Sequence, residues 1–81
     1  MPDLGDVVAA NVRGWRARHR LRQADLAERT GWSKDTISDI ETGRRRIGIA
    51  DLPVLCEALE VGLIDLLHGA DPADLSKLRL S

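Results

Sequence analysis

The sequence predicts a compact all-α domain of five short helices followed by a short helical C-terminal tail. Apolar residues recur along the chain at separations of three and four, the spacing that places them on one side of a helix. No stretch alternates apolar and polar residues for long enough to predict a strand. Phe and Tyr are absent and only 2 Trp occur among 81 residues, so the core must be built from aliphatic side chains.

Three helices are predicted in the N-terminal half of the chain, over residues 6–19, 23–30 and 34–42. Gly31 and Gly43 end the second and third of these helices, because a left-handed residue commonly closes a helix. Ser33 is a good N-cap, since its hydroxyl can accept a hydrogen bond from a free backbone N–H of the first turn. Ile37 and Ile40 are the predicted buried pair of the third helix.

After a loop at 44–50, a fourth helix is predicted to begin at residue 51. A fifth helix is predicted over 63–68 and a helical tail over 72–80. Asp51 is the expected N-cap of the fourth helix, and Pro53 suits its first turn, where no backbone donor is needed. Gly62 breaks the chain, and Asp71 can cap the tail helix. The chain therefore divides into a domain of residues 1–70 and a tail of residues 71–81.

Charge is distributed unevenly, although the net charge is only −1. Residues 13–46 hold ten Lys or Arg against five Asp or Glu, so this window carries +5 and the rest of the chain −6. A basic half suits a polyanionic partner such as nucleic acid. The alternative is that these charges only solvate the surface.

Several functional classes find no support in the sequence. Cys56 is the only cysteine, so neither an intrachain disulfide nor a cysteine-based zinc cluster is expected. No apolar run approaches the roughly 20 residues of a membrane span, and the acidic N-terminus does not resemble a signal peptide, so we expect a cytoplasmic protein. No catalytic, phosphate-binding or metal-ligand motif is evident, so neither an enzyme nor a bound cofactor or metal is expected.

The second and third helices, joined by the residues Gly-Trp-Ser, form a helix-turn-helix unit. The segment RQADLAERTGWSKDTISDIETGRRR resembles the Cro-like phage-repressor and xenobiotic-response-element family, which has the lambda-repressor-like fold. The resemblance covers residues 8–69, including VRGWRARHRLRQ and LPVLCEALEVGLIDLLHG. It implies a transcriptional regulator, most often a repressor, that binds double-stranded DNA as a homodimer. Residues 34–42 would be the recognition helix in the major groove.

The resemblance also implies DNA contacts residue by residue. The base-reading positions, on the outward face of the third helix, are Lys34, Asp35, Ser38 and Asp39. The expected contacts to the phosphate backbone come from Gln23, Ser33, Thr36, Arg44, Arg45 and Arg46, with Arg22 adding charge beside them. The family glutamine that Gln23 matches also braces the recognition helix.

The carboxylates of the third helix have different expected tasks. Glu41 matches a family glutamate that pairs with an arginine of the first helix, here Arg16, and this partly buried ion pair would brace the recognition helix. Asp35 has two open interpretations, a favourable interaction with the helix N-terminus or acceptance of a cytosine amino group. Asp39 either positions Lys34 or a nearby arginine, or reads a second cytosine. Since Lys34 suits guanine, the working hypothesis is a G/C-rich half-site.

Two residues depart from the family pattern. Arg20 stands where the family often has a left-handed glycine, and keeping that conformation would cost an arginine about 1 kcal/mol. Arg22 stands where the family favours a Ser or Thr N-cap. Both changes add positive charge beside the expected DNA face.

Two alternative functions are compatible with the same residues. One is an antitoxin-like or other protein-interaction module whose main task is to grip a partner protein. The other is a controller protein of a restriction–modification or phage-immunity locus, which shares the DNA-binding mechanism. The resemblance places the dimer contact on the fifth helix and the tail, unless these side chains only cover the core: Leu63, Ile64, Leu67, Leu75 and Leu78.

Overall fold

The computed structural model of the protein describes residues 2–80, and these residues form helices and loops without a strand. Six helices follow one another as α1 Leu4–Arg18, α2 Gln23–Thr30, α3 Lys34–Thr42, α4 Asp51–Leu59, α5 Leu63–Leu66 and α6 Pro72–Lys77. The all-α prediction is confirmed, and α2 and α3 have the bounds that the sequence predicted. Met1 and Ser81, at the ends of the predicted domain and tail, lie outside the described residues.

Helix α1 begins at Leu4, two residues before the predicted start, because Asp3 caps it. The Asp3 carboxylate accepts a hydrogen bond from the Asp6 N–H at 2.9 Å, and the Asp6 carboxylate accepts one from the Asp3 N–H at 3.2 Å. This reciprocal capping box satisfies two backbone donors. The predicted start at Asp6 was therefore wrong, since Asp6 belongs to the first turn.

The sequence predicted Asp51 as the N-cap of α4, and this prediction was wrong. Asp51 is the first helical residue, Ala50 holds the cap position, and the Asp51 carboxylate accepts a hydrogen bond from the Gly48 N–H at 2.8 Å. The side chain thus fixes the turn that leads into α4. At the other end of α4 the left-handed residue is Glu60, with φ of 56°, and Gly62 instead holds the N-cap position of α5.

The last two helices are shorter than predicted. Helix α5 ends at Leu66 rather than at residue 68. At this end the Asn11 side-chain amide donates hydrogen bonds to the carbonyls of Leu66 and His68, at 2.7 and 2.9 Å. Helix α6 ends at Lys77 rather than residue 80, and Arg79 is left-handed with φ of 61°. Asp71 caps α6 as predicted, accepting a hydrogen bond from the Ala73 N–H at 2.8 Å.

The core lies where α1, α2, α3 and α4 meet, with α5 closing one end. Its largest fully buried side chains are aliphatic, as predicted: Leu26, Ile37, Ile40, Leu55, Leu59, Leu66 and Val12. Trp15 and Trp32 pack at its edge and are only half-buried. Because α3 is one short helix at the periphery of this core, its other side faces solvent.

Candidate nucleic-acid interface

Helices α2 and α3 are packed against each other across the turn at residues 31–33. Ala27, on α2, is buried, so the two helices can approach closely. Gly31 closes α2 with φ of 78°, a conformation that glycine adopts without the steric cost other residues incur. Ser33 then caps α3, since its Oγ accepts a hydrogen bond from the Thr36 N–H at 3.1 Å. The predicted turn and caps are confirmed.

The solvent side of α3 carries the predicted base-reading residues. Ile37, Ile40 and Glu41 are buried, whereas Lys34 and Asp35 are exposed. Further along the helix, Ser38 and Asp39 are half-buried, and they remain on the side away from the core. The face therefore combines one ammonium group, two carboxylates and one hydroxyl group.

Ser33 and Thr36, expected at the phosphate backbone, contact each other at the start of α3. The Ser33 hydroxyl donates to the Thr36 hydroxyl at 3.0 Å while it also accepts from the Thr36 N–H. Both hydroxyl groups are thus held at the helix entrance, and Ser33 is exposed. The exposed amides of a helix N-terminus favour an anion at this end.

An ion pair beneath α3 joins it to α1. The Arg16 guanidinium donates to both Glu41 carboxylate oxygens, from Nε at 2.6 Å and from Nη2 at 3.0 Å. The Glu41 side chain is 2% exposed and that of Arg16 18%. The remaining contacts tie in α2 and the turn before it, because Gln23 Nε2 donates to Glu41 Oε1 at 3.2 Å and Arg16 Nη1 donates to the Leu21 carbonyl at 2.9 Å.

This arrangement satisfies a buried charge that would otherwise be costly. A carboxylate taken out of water needs a partner and hydrogen bonds to offset its desolvation. Glu41 has a bidentate guanidinium, the stronger geometry for such a pair, together with the Gln23 amide. The pair expected between Arg16 and Glu41 is therefore formed, and the hydrogen bond from Gln23 to the same carboxylate agrees with the bracing role that the resemblance implies for Gln23.

The three arginines that follow α3, called here the arginine run (Arg44, Arg45 and Arg46), are all exposed. The Arg45 N–H donates to the Asp39 carbonyl at 3.1 Å, so the run leaves directly from the last turn of α3. Gly43 makes this exit possible with a φ of 79°. Among residues 2–80, no side-chain hydrogen bond joins Asp39 to Lys34 or to the run.

Arg22 and Asp25 form a surface pair at the start of α2. The Asp25 carboxylate accepts hydrogen bonds from the Arg22 N–H at 2.8 Å and from the Arg22 guanidinium at 3.2 and 3.3 Å. These bonds hold the pKa of Asp25 below its usual value, and the side-chain bond contributes most. The sequence predicted that Arg22 would be a poor N-cap, and its side chain indeed makes no capping hydrogen bond. The Asp25 carboxylate instead accepts the hydrogen bond of the Arg22 backbone N–H.

Two polar residues with structural tasks escaped the sequence prediction. Asn11 binds the end of α5 from the middle of α1. Arg29 Nη1 donates to the Ala58 carbonyl at 3.0 Å, at the C-terminal end of α4, where a cation is favourable. Neither contact has a local signal, because the partners lie far apart in the sequence. In the sequence, Arg29 is only one of the ten Lys or Arg residues of the basic window 13–46.

The predicted dimer residues do not all lie on the surface. Leu63, Ile64 and Leu78 are 38, 59 and 48% exposed, and Leu75 is half-buried. Leu67 is a core residue, only 5% exposed, which agrees for this leucine with the alternative that it covers the core. An open apolar groove of about 410 Å³ runs beside these residues and also includes Ile49, Leu52 and Leu80.

Within residues 2–80, His, Cys, Asp and Glu form no group of three or more that could hold a metal ion. The helices of this part of the chain are too short and too polar to cross a membrane. His19 stacks on Trp15 at 6.1 Å, and Arg18 lies 4.7 Å above the same ring, so these side chains form a surface cluster.

An all-α fold that presents one braced helix of a helix-turn-helix unit to solvent defines a class of DNA-binding proteins. The chain belongs to the helix-turn-helix domain family, whose model matches residues 7–78. The expected membership among Cro-like, lambda-repressor-like regulators is confirmed. The chain is thus a helix-turn-helix DNA-binding transcriptional regulator, in a family of regulators rather than enzymes.

Individual relatives support the same conclusion. The chain is 32% identical over 65 residues to control protein C.SmaI of Serratia marcescens, covering 80% of this chain and 77% of that one. It superimposes on the clp gene regulator ClgR of C. glutamicum with a TM-score of 0.77 and 30% identity, covering 83% and 87% of the two chains. The restriction–modification controller protein C.Esp1396I, solved as a tetramer with its natural 35 base-pair operator, matches with a TM-score of 0.74 and 25% identity over the whole of both chains.

Proposed function

We propose that this regulator binds a specific double-stranded DNA site as a homodimer, with α3 in the major groove. The observation that carries the proposal is the polar outer face of α3, held in place from beneath by the buried Arg16–Glu41 ion pair. A helix that must read base edges has to keep a fixed angle, because a small displacement breaks hydrogen bonds with narrow geometric tolerance. The brace provides that fixed angle.

The phosphate contacts follow from the positions of the positive groups. The arginine run leaves the C-terminal end of α3, whereas Ser33 and the free amides lie at its N-terminal end. A recognition helix in the major groove has phosphates beyond both of its ends. We therefore assign the run, Ser33 and Thr36 to backbone contacts, with Gln23 and Arg22 beside them at the start of α2.

The base contacts are assigned by chemistry. Lys34 donates and therefore suits guanine, whose major-groove edge offers two acceptors. Asp35 and Asp39 accept and therefore suit the amino group of cytosine. Both are oriented away from the core on the same side of α3. We infer a G/C-rich half-site, and we infer repression, because a bound protein blocks access to a promoter by occupancy alone.

The dimer is proposed through α5 and the tail. Leu63, Ile64 and Leu78 expose apolar surface beside the open apolar groove, and such a patch favours association. A two-fold dimer places two recognition helices about 34 Å apart, one turn of DNA. C.Esp1396I, matched over its whole length, was solved as a tetramer on an operator, which supports binding by more than one copy.

The relatives favour a controller protein over an antitoxin-like module as the second candidate. Both C.SmaI and C.Esp1396I are control proteins, and C.Esp1396I was solved on its operator. We therefore propose that the chain acts in the manner of a small controller, whose DNA binding depends on its own concentration.

The experiment is a binding titration against duplex DNA at several salt concentrations, combined with sedimentation. We expect the logarithm of the DNA-binding constant to fall linearly with the logarithm of the salt concentration, with a slope that reflects the number of phosphates neutralised. In sedimentation we expect a dimer, which the substitution Ile64→Glu dissociates. Ala10→Glu adds the same charge at an exposed position of α1, outside α5 and the tail, and serves as the control. Salt-insensitive or absent DNA binding would favour the protein-interaction module, and a monomer on DNA at high concentration would refute the dimer.

A further inference from the structure

The N-terminus of α1 lies against the arginine run. A cleft of about 270 Å³ separates them, with Asp3 and Asp6 on one side and Arg45 and Arg46 on the other. Ile40 and Gly43, from the end of α3, also line this cleft. Two carboxylates thus lie beside the positive groups that leave the recognition helix.

The two oxygens of the Asp3 carboxylate have different partners. Oδ1 accepts the hydrogen bond from the Asp6 N–H at 2.9 Å and so caps α1. Oδ2 lies 3.9 Å from Nη1 of Arg46. The capping contact fixes the side chain, so the oxygen that does not cap is directed towards the guanidinium.

Asp6 reinforces this placement. Its Oδ2 accepts a hydrogen bond from the Asp3 N–H at 3.2 Å, which completes the capping box. Its Oδ1 lies 4.0 Å from the position that a Cβ on Gly43 would occupy, so the carboxylate borders the exit of α3. Hydrogen bonds to backbone N–H groups therefore fix the carboxylates of both aspartates in place beside the exit of α3.

We propose that Asp3 competes with DNA phosphate for Arg46 and so lowers the affinity of the regulator for duplex DNA of any sequence. The inference rests on the proposed placement of the arginine run along the DNA backbone. The Arg46 and Asp3 side chains are 90 and 59% exposed, so the contact is weak enough to open when a phosphate approaches. While it persists, it offsets one of the positive charges available for sequence-independent binding.

The test is the substitution Asp3→Asn. Asparagine caps helices as well as aspartate does, so the hydrogen bond to the Asp6 N–H is kept and only the charge facing Arg46 is removed. Binding to a random-sequence duplex is measured between low and moderate salt for the wild type, Asp3→Asn, Arg46→Gln and the double variant. Glu57→Gln removes an exposed carboxylate on α4, outside the cleft, and is the matched control.

We expect Asp3→Asn to bind about two- to fivefold more tightly at low salt, the range for an exposed ion pair. The salt slope should steepen by up to about 0.9, because Arg46 then neutralises a phosphate fully. Neither effect should occur with Glu57→Gln or in the Arg46→Gln background. Unchanged or weaker binding by Asp3→Asn, or a gain that persists without Arg46, would overturn the inference while leaving the proposed function intact. Absence of DNA binding by the wild type would instead reject the proposed function.

Discussion

Removing the Glu41 carboxylate should destabilise the fold strongly, although Glu41 is a charged residue. In Glu41→Ala the Arg16 guanidinium loses its acceptors for Nε and Nη2, and the Gln23 amide loses one as well. Only the Arg16 bond from Nη1 to the Leu21 carbonyl is kept. The variant therefore leaves a largely buried positive charge without its counter-charge.

The size of the loss follows from burial. Breaking a fully buried pair costs about 3–5 kcal/mol, and the 18% exposure of Arg16 reduces this because water can reach the guanidinium, so we expect about 2–4 kcal/mol. A chain of 81 residues has a stability of roughly 4–12 kcal/mol. The melting temperature should fall by about 8–30 °C, since each kcal/mol shifts it by about 4–8 °C in a domain of this size.

Thermal and urea unfolding followed by circular dichroism measures this loss, and a double-mutant cycle with Arg16→Ala locates it. Once Arg16 has been removed, the further cost of Glu41→Ala should differ strongly from its cost in the wild type, because the two side chains act as one unit. DNA affinity should also fall in Glu41→Ala at temperatures where the variant is still folded. A loss below about 1 kcal/mol, or additive effects in the cycle, would refute the idea of a brace.

Three further results are expected. Arg20→Gly should stabilise the protein by up to about 1 kcal/mol in urea unfolding, because Arg20 has a φ of 56°, and no gain would show that this conformation is unstrained. An NMR titration should give Asp25 a pKa below its usual value, and Arg22→Gln should raise that pKa while the backbone bond keeps it partly lowered. Because the folded pKa of Asp25 is lowered, the pair stabilises the protein above about pH 4, and this contribution disappears as the pH falls through the folded pKa, so wild type and Arg22→Gln should converge in stability in acid. Burial raises the pKa of the Cys56 thiol, so alkylation at neutral pH should be slow in the folded protein and fast in urea, and equal rates would contradict its packing.

The sequence predicted best where the signal was local. Helices α2 and α3 have their predicted bounds because Gly31, Ser33 and Gly43 mark their ends by backbone conformation and capping. The start of α1 was missed because Asp3 caps it with Asp6 three residues later, in place of the commoner Ser or Thr followed by Glu.

What the sequence missed depends on contacts between distant residues. The end of α5 is held by tertiary hydrogen bonds from Asn11, which periodicity does not encode, and the tail helix ends in a turn with a left-handed Arg79, a residue type that does not mark a helix end. The buried Leu67 was a dimer candidate together with its exposed neighbours because a leucine-rich segment does not reveal which side faces the core. The Arg16–Glu41 pair and a bracing role for Gln23 followed from the family resemblance, whereas the approach of Asp3 to Arg46 required the folded chain.

The central claim is that the outer face of α3 reads bases, and selection of bound sites from a random duplex pool tests it most directly. The wild type should select a two-fold site with G/C-rich half-sites. Replacing Lys34, Asp35 or Asp39 with alanine, one at a time, should relax preference at one base pair each, at a cost of about 1–3 kcal/mol. A motif of A/T pairs alone, or a motif unchanged by all three substitutions, would contradict the account.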